Sequence, residues 1–309
     1  MLWILLSFGS AIAFALKDIL AKREFREQVS PYHIVIEQYF FAIIFVVIFF
    51  LLEFFGLVSP LALGFSGFSF IIHWQLLFSH LWYFFILKGI FLILTIVLYY
   101  ILVYKYEISL ASPIINLSPV TLLVFSSMFL SESVSLRQLS GIGVIILATY
   151  LLEYYTFKRS SSKINSFISS PRDIVIALVL ITVFSLNAVT DKYLIQQGST
   201  ASTNIFYAGL FTLFLAILLS FKNKDVFPKT SLYPTFSRFL ISFCAVLSDY
   251  LITLALAIPT ALASLIVPLR RTSTFFSSLI GGMIFKEEHL LWKGFCIIVM
   301  LIGVLLIVL

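Results

Sequence analysis

The residues of this chain that could do chemistry are ionisable side chains inside long apolar runs of sequence. The deepest of them are Glu37, Lys88, Asp249, Arg270 and Arg271. Because an ionisable group at the middle of a bilayer costs roughly 2.5 to 3.5 kcal/mol on insertion scales, each one needs a functional or structural reason. Arginine carries a planar fork of donors that suits a carboxylate or a phosphate. We therefore predict that Lys88, Asp249 and the two arginines belong to a site for a small anionic or zwitterionic molecule.

Arg270 and Arg271 are the sharpest case, since neighbours on a helix point about 100° apart and no single carboxylate easily serves both. We expect one of the two guanidinium groups to face a cavity. The alternative is that the pair ends a membrane span and lies in a loop. The run from Arg271 to Lys286 is too short to cross a bilayer comfortably, which disfavours that alternative.

Helical spacing adds further polar residues to the predicted site. Thr95 and Tyr99 follow Lys88 at positions i+7 and i+11, on the same face of a helix. Asn187 and Asp191 in one helix, and Asn116 in another, can extend the lining. The predicted substrate-binding set is Lys88, Thr95, Tyr99, Asn116, Asn187, Asp249, Arg270 and Arg271.

Structural ion pairs are the alternative role for these charges. The sequence leaves both roles open for Lys88 and Asp249, which could pair with each other. Asp191 and Lys192 lie close to the end of their run, where they could be interfacial.

Two further roles concern energy coupling and gating. Asp249 and Glu37 are carboxylates that could carry a coupling proton. Pro113 and Pro268 occupy matching places in two helices, and each frees a backbone carbonyl and kinks its helix. We predict that the prolines supply a hinge or gate, although a purely structural kink remains open.

The elements that position these residues are membrane helices. The chain is 61% hydrophobic and 11% charged, with a mean hydropathy of +1.11, far from the composition of soluble domains, which are about 25% charged. Its apolar runs are near or beyond the roughly 20 residues that cross a bilayer as a helix. The first run has no basic residue before it, so we expect it to be retained as a helix. We predict an all-α protein with ten spans: 2–22, 32–55, 81–104, 110–130, 136–155, 173–195, 201–221, 239–257, 261–285 and 290–309.

An internal repeat relates the two halves of the chain. When residues 109–154 are set over 264–309, Pro113 aligns with Pro268, Ser118 with Ser273, Met128 with Met283 and Glu132 with Glu287. Both copies have an apolar run, a short acidic break and a second apolar run. Two five-helix halves follow, and the odd helix number inverts the second half. Inverted repeats with a site between them are typical of secondary transporters.

The predicted domains are a first repeat over 1–157, a Ser-rich basic linker over 158–171 and a second repeat over 172–309. The odd-numbered loops hold fourteen Lys and Arg residues, and the even-numbered loops hold only Arg137 and Lys192. The positive-inside rule therefore places the odd-numbered loops in the cytoplasm and both termini outside.

The segments 129–139 and 285–288, each with a glutamate at the turn between two helices, resemble the EamA-type repeat of the drug/metabolite transporter superfamily. As in that family, a small residue follows about four turns later, at Ala148 and Gly303. Pro119 also resembles the family's proline in the fourth helix, but Thr274 stands at the equivalent place in the second half. The resemblance implies the ten-helix fold and transport. It also implies cytoplasmic termini, in conflict with the charge count.

The chain as a whole predicts a secondary active transporter that works by alternating access and moves a small anionic or zwitterionic metabolite. Amino acids, organic acids, nucleotides and phosphorylated compounds are the classes considered, with exchange or proton coupling as the energy source. A lipid-handling, flippase-like or accessory membrane protein is the alternative. The Walker A, HExxH and GxSxG motifs are missing, so we expect no enzyme activity, cofactor or metal. The expected partners are the small substrate and membrane lipids, with a homodimer possible and no nucleic acid. The expected location is the cell membrane of a bacterium or archaeon.

Overall fold

The computed structural model describes residues 2–26, 31–55, 72–105, 118–157, 171–222 and 236–273, with eight further positions between 276 and 306. All regular secondary structure in these ranges is helical. A 3₁₀ turn spans Trp74–Phe78. The α-helices delimited there are α1 (Leu2–Arg26), α2 (Pro31–Phe54), α3 (Trp82–Lys105), α4 (Ser118–Leu130), α5 (Leu136–Phe157), α6 (Pro171–Gln196), α7 (Ala201–Lys222), α8 (Phe236–Ala257) and α9 (Ala263–Arg270).

Six of the helices in the described part are long and apolar enough to cross a membrane, namely α1, α2, α3, α6, α7 and α8. The prediction of an all-helical, multi-pass membrane protein is confirmed, and the bounds of these six helices agree with the predicted spans to within four residues. The predicted linker up to residue 170, the start of the fourth span, the last part of the ninth span and most of the tenth span lie outside the described residues. Many large apolar side chains are exposed on the helices, as a lipid-facing surface requires.

Helices from the two halves of the chain interleave in a regular order. α1 packs along α8, and α6 packs along α3. α2 packs against α7 and α8, while α7 packs against α2 and α3. α4 lies against α6, and α9 lies against α1 and α4. If α1, α2, α3 and α4 are exchanged with α6, α7, α8 and α9, each of these contacts is converted into another contact of the same set.

Two buried charged side chains hold the short connection between α8 and α9. Lys192 Nζ donates hydrogen bonds to the carbonyl oxygens of Leu256 at 2.7 Å and Ala261 at 2.8 Å. Glu132, in the turn between α4 and α5, accepts bonds from the amides of Ala263 at 2.8 Å and Ser264 at 3.1 Å. Lys192, for which an interfacial position was considered, is thus buried within the protein against backbone carbonyls.

Small residues allow close helix packing at two other places. Ala148 of α5 is fully buried, and Gly303 lies against the same helix. A Cβ atom at Gly303 would lie 2.8 Å from Ile145 Cγ1 and 2.9 Å from the carbonyl oxygen of Gly141. The small residues singled out in the sequence thus let the region around residue 303 approach α5.

Gly89 makes the closest approach between α3 and α7. A Cβ atom there would lie only 2.5 Å from Phe211 Cβ, so Gly89→Ala must push the two helices apart. We expect the free energy of unfolding to fall by about 1–3 kcal/mol, the usual cost of overpacking a core. Unfolding followed by circular dichroism in detergent measures the change.

Gly143→Ala is the matched control, since Gly143 is also helical but has open space where its Cβ would lie. Alanine favours helix by up to about 1 kcal/mol over glycine, so this variant should be as stable as the wild type or more so. Equal stability of the Gly89→Ala variant and the wild type would contradict the close approach of α3 and α7.

Candidate functional site

A polar cavity lies where α2, α3, α6, α7, α8 and α9 meet. It leaves about 50 Å³ for the centres of water molecules, room for a few waters, since each needs roughly 10–15 Å³ in this measure. Its apolar wall is formed by Leu92, Ile205, Ala208 and Ile252. Its polar wall is formed by Tyr39, Lys88, Asn187, Asp191, Asp249, Thr253 and Arg270. Four of the predicted substrate-binding residues, Lys88, Asn187, Asp249 and Arg270, thus line one cavity.

The ion pair between Arg270 and Asp249 forms one side of the cavity. Arg270 Nη2 donates to Asp249 Oδ1 at 2.7 Å and to Ser248 Oγ at 3.2 Å. The Phe14 ring of α1 lies 4.9 Å from the guanidinium carbon, at a distance where a cation and a ring attract each other. About a third of the Asp249 side chain remains exposed, which leaves this carboxylate accessible from the cavity.

The second ion pair joins the two halves of the chain. Lys88 Nζ of α3 donates to Asp191 Oδ1 of α6, and both side chains are largely buried. The pairing of Lys88 with Asp249 considered from the sequence is therefore wrong. Asp191 lines the cavity with Lys88, as its place beside Asn187 on one face of the helix predicts.

Asn187 adds an acceptor next to these charges. It lies one turn before Asp191 on α6. Its buried Oδ1 atom accepts no hydrogen bond from any described residue, although its surroundings are polar. A buried amide oxygen normally has a partner, so a water molecule or a bound ligand is expected to donate to it.

Arg271 points away from the cavity. Arg271 Nη2 donates to Ser118 Oγ of α4 at 3.0 Å, and the guanidinium carbon lies 4.1 Å from the centre of the Phe184 ring of α6. The side chain is buried between these helices. The two arginines thus have separate partners, as their helical spacing indicates, and Arg270 is the one at the cavity.

The other predicted site residues lie elsewhere or outside the described part. Glu37 forms an ion pair with Arg238 Nη1 at 3.3 Å, away from the cavity lining. Thr95 donates to the carbonyl oxygen of Phe91 on its own helix, and Tyr99 packs in an apolar cluster. Pro268 is buried inside α9, two residues before that helix ends. Asn116 and Pro113 lie outside the described residues.

Sequence reasoning missed the part of the lining that α2 and α7 contribute. Tyr39, Ile205 and Ala208 come from α2 and α7, which carry none of the residues predicted to bind substrate. Nothing distinguishes them in the sequence from side chains that face lipid. Asp191 was not missed, because its spacing from Asn187 predicts that both lie on one face of α6, and both line the cavity.

Comparison with known proteins identifies the family. No curated protein matches the sequence of this chain. A solved structure described only as "Crystal structure of protein" is similar over 97% of this chain and 96% of that chain, with a TM-score of 0.64 and 12% sequence identity, which shows a shared fold. Residues 1–154 match the profile of the EamA-like transporter family. The chain belongs to the EamA-like transporter family of the drug/metabolite transporter superfamily and is a membrane transporter.

Proposed function

We propose that this protein is a secondary active transporter that moves a small zwitterionic or anionic metabolite by alternating access. The observation that carries the proposal is the cavity between the two halves of the chain, where two cationic and two anionic side chains of the described residues meet. Buried charges in a membrane protein characteristically mark the path of a substrate or ion. The energy for transport would come from exchange of solutes or from coupling to a proton that Asp249 carries.

The alternating movement requires two inverted five-helix halves, ten helices in all. The packing order supports this arrangement, since exchanging α1 to α4 with α6 to α9 preserves the helix contacts. If every helix crosses the bilayer, an odd number in the first half reverses the second. Rocking of one half against the other would then expose the cavity to one side at a time.

The charges in the cavity favour a zwitterion over a simple anion. An anion that takes the place of Asp249 at Arg270 Nη2 leaves that carboxylate, about two-thirds of which is buried, without its partner. A zwitterion can offer its carboxylate to Arg270 and its ammonium to Asp249. The cavity is also smaller than the roughly 300–1,000 Å³ of pockets for drug-sized ligands, so the cargo is small.

We further propose that the odd-numbered loops are cytoplasmic. Lys192, one of the two basic residues counted in even-numbered loops, is buried in α6, as is Arg238 in α8. Because the positive-inside rule applies to loops alone, these two residues are left out of the count. The odd-numbered loops then still hold the excess of Lys and Arg residues.

Counterflow in proteoliposomes tests the transport proposal. Purified protein loaded with one unlabelled compound should take up the labelled compound saturably, with compounds tried from amino acids, organic acids, nucleotides and phosphorylated compounds. The absence of saturable counterflow across this panel, together with scrambling of a fluorescent phospholipid, would favour the lipid-handling alternative instead. Protein-free liposomes are the control.

A matched set of competitors tests the zwitterion. For any transported zwitterion, the analogue without the ammonium and the analogue without the carboxylate should each compete about tenfold less well or worse. The reason is that a hydrogen bond to a charged group contributes about 1.5–3 kcal/mol. Equal competition by the analogue without the ammonium would show that the cargo is an anion.

A further inference from the structure

Two side-chain clusters of unlike chemistry adjoin the elements that line the cavity, one toward each end of the helix bundle. We infer that these clusters are the two gates of the transporter, and that the gate built from charges opens more readily than the gate built from aromatic rings. The inference rests on the proposed alternating access. It adds the residues that open and close each side and the direction in which the empty protein prefers to open.

The first cluster, the charged seal, consists of Glu24, Glu37 and Arg238. Arg238 Nε donates to Glu24 Oε2 at 3.0 Å, and Arg238 Nη1 lies 3.3 Å from Glu37 Oε1. Glu24 belongs to α1 and Glu37 to α2, whereas Arg238 belongs to α8, so the seal bridges the two halves. On α2, Glu37 lies two residues before Tyr39, which lines the cavity. The Glu24 and Arg238 side chains are buried, with exposures of 3% and 7%.

The second cluster, the aromatic seal, consists of Phe84, Phe85, Tyr193, Phe206 and Tyr207. The ring centres of Phe84 and Tyr193 are 4.7 Å apart, and those of Phe85 and Tyr207 are 5.0 Å apart. Phe84 and Phe85 belong to α3 in the first half, and the other rings belong to α6 and α7 in the second. Phe84 lies one turn before Lys88, so this seal also adjoins the cavity. Trp74 of the 3₁₀ turn packs on Phe206 from outside at 5.4 Å.

The two seals are related by the exchange of helices that relates the two halves of the chain. Arg238 is the third residue of α8, and Phe84 is the third residue of α3. Glu37 is the seventh residue of α2, and Tyr207 is the seventh residue of α7. In the same way, Glu24 lies in the last turn of α1 and Tyr193 in the last turn of α6. The exchange of helices that relates the halves therefore places the aromatic seal where the charged seal was.

The seals also lie at opposite ends of the bundle. On α2, Glu37 belongs to the charged seal, while Val46 and Phe50 pack against the aromatic seal. On α8, Arg238 belongs to the charged seal, and Tyr250 packs against the aromatic seal twelve residues later. Twelve residues of helix span about 18 Å, so the two clusters face opposite sides of the membrane.

The chemistry of each seal determines how easily it opens. Separation of the charged seal exposes carboxylates and a guanidinium that water solvates well, so much of the lost attraction is returned as hydration. Separation of the aromatic seal exposes large apolar rings to water with no compensating interaction. The protein without cargo should therefore open toward the charged seal more often than toward the aromatic seal.

Thiol labelling of a cavity residue tests the inference and needs no knowledge of the cargo. Cys244 and Cys296 are replaced by Ala, and Thr253→Cys, in the cavity lining, becomes the reporter. A membrane-impermeant methanethiosulfonate reagent is applied to right-side-out and to inside-out vesicles. Gln197→Cys in a separate sample, at an exposed position after α6, marks the side of the aromatic seal. With both seals intact, we expect the reporter to be labelled faster from the side of the charged seal than from the side of the aromatic seal. Equal or slower labelling from the side of the charged seal would overturn the inference that this gate opens more readily.

Substitutions in each seal then test the two gates. Arg238→Gln should raise the labelling rate from the charged side by about tenfold, because it shifts the population toward that open state. Glu37→Gln keeps the Arg238 pair with Glu24 and should raise the same rate by a smaller factor. Phe84→Ala should raise labelling from the other side only. If all three variants raise labelling from the same side, or if Arg238→Gln and Glu37→Gln leave it unchanged, the clusters are not gates.

Failure of this test can be told apart from failure of the transport proposal. A protein that shows counterflow but no change in labelling is a transporter with other gates. If the variants of both seals change the labelling rates as expected but no compound of the panel is transported, the gates are present and only the proposed class of cargo is wrong.

Discussion

Replacement of Arg270 by Gln is expected to reduce saturable uptake about 100-fold, because it removes one partner of a desolvated, hydrogen-bonded charge pair, a loss worth about 2–5 kcal/mol. Arg270 Nη2 contacts Asp249 Oδ1 and Ser248 Oγ, and it is the guanidinium that lines the cavity. Gln cannot present a positive charge to a carboxylate cargo. Initial rates of counterflow at several cargo concentrations measure the effect.

Arg271→Gln is the matched control for this prediction. The neighbouring arginine bonds to Ser118 and packs on Phe184, away from the cavity. Its replacement should lower the thermal midpoint of the purified protein while uptake by the folded fraction stays within a few-fold of the wild type. Normal uptake by the Arg270→Gln variant, or abolished uptake only in Arg271→Gln, would move the cargo site to the other arginine.

Replacement of Glu132 by Ala is expected to lower the free energy of unfolding by about 3 kcal/mol. The carboxylate accepts bonds from the amides of Ala263 and Ser264 and from Ser264 Oγ at 2.7 Å. These amides belong to the first turn of α9, where no intrahelical acceptor exists. Removal of the acceptor leaves buried donors unsatisfied, and hydrogen bonds to a charged group contribute about 1.5–3 kcal/mol each. Unfolding in a denaturing detergent, followed by circular dichroism, measures the loss.

Ser133→Ala is the control for the turn that carries Glu132, since Ser133 is the next residue and is exposed. It should change the free energy of unfolding by less than about 0.5 kcal/mol, as surface substitutions usually do. If Glu132→Ala is no less stable than Ser133→Ala, the carboxylate does not hold α9. Unchanged stability with lost uptake would instead indicate that Glu132 serves the transport cycle.

For Glu132, the sequence predicts the position of the residue but not the helix that its carboxylate contacts. Its place in an acidic turn between apolar runs is visible in the sequence, and a carboxylate just before a helix usually stabilises the first turn of that helix, here α5. The structure directs the side chain to α9 instead. Ser131 has a φ of 54°, and the amide of Glu132 bonds to the carbonyl oxygen of Ser126. This sharp end of α4 turns the carboxylate toward the other half of the chain.

Arg238 was the functional candidate that the sequence concealed. It stands beside a polar connection, so the charge count assigned it to a loop. Only the approach of α1 and α2 shows that it is buried between Glu24 and Glu37. The same contact removes Glu37 from the cavity and gives it a partner, although the coupling role predicted for it is still open to test.

By itself the sequence determined the class of protein, the bounds of six long helices and the presence of costly charges deep inside them. These properties depend on composition and on local runs of apolar residues, because a helix that crosses a bilayer must be apolar over about 20 residues. Only the tertiary structure decided that Lys88 pairs with Asp191, that Arg270 and not Arg271 lies at the cavity, and that Arg238 is buried between two glutamates. The physical reason is that helices that are apolar on nearly every face carry little periodic signal of their rotation. The partners of each charge lie far away in the chain and are fixed by packing alone.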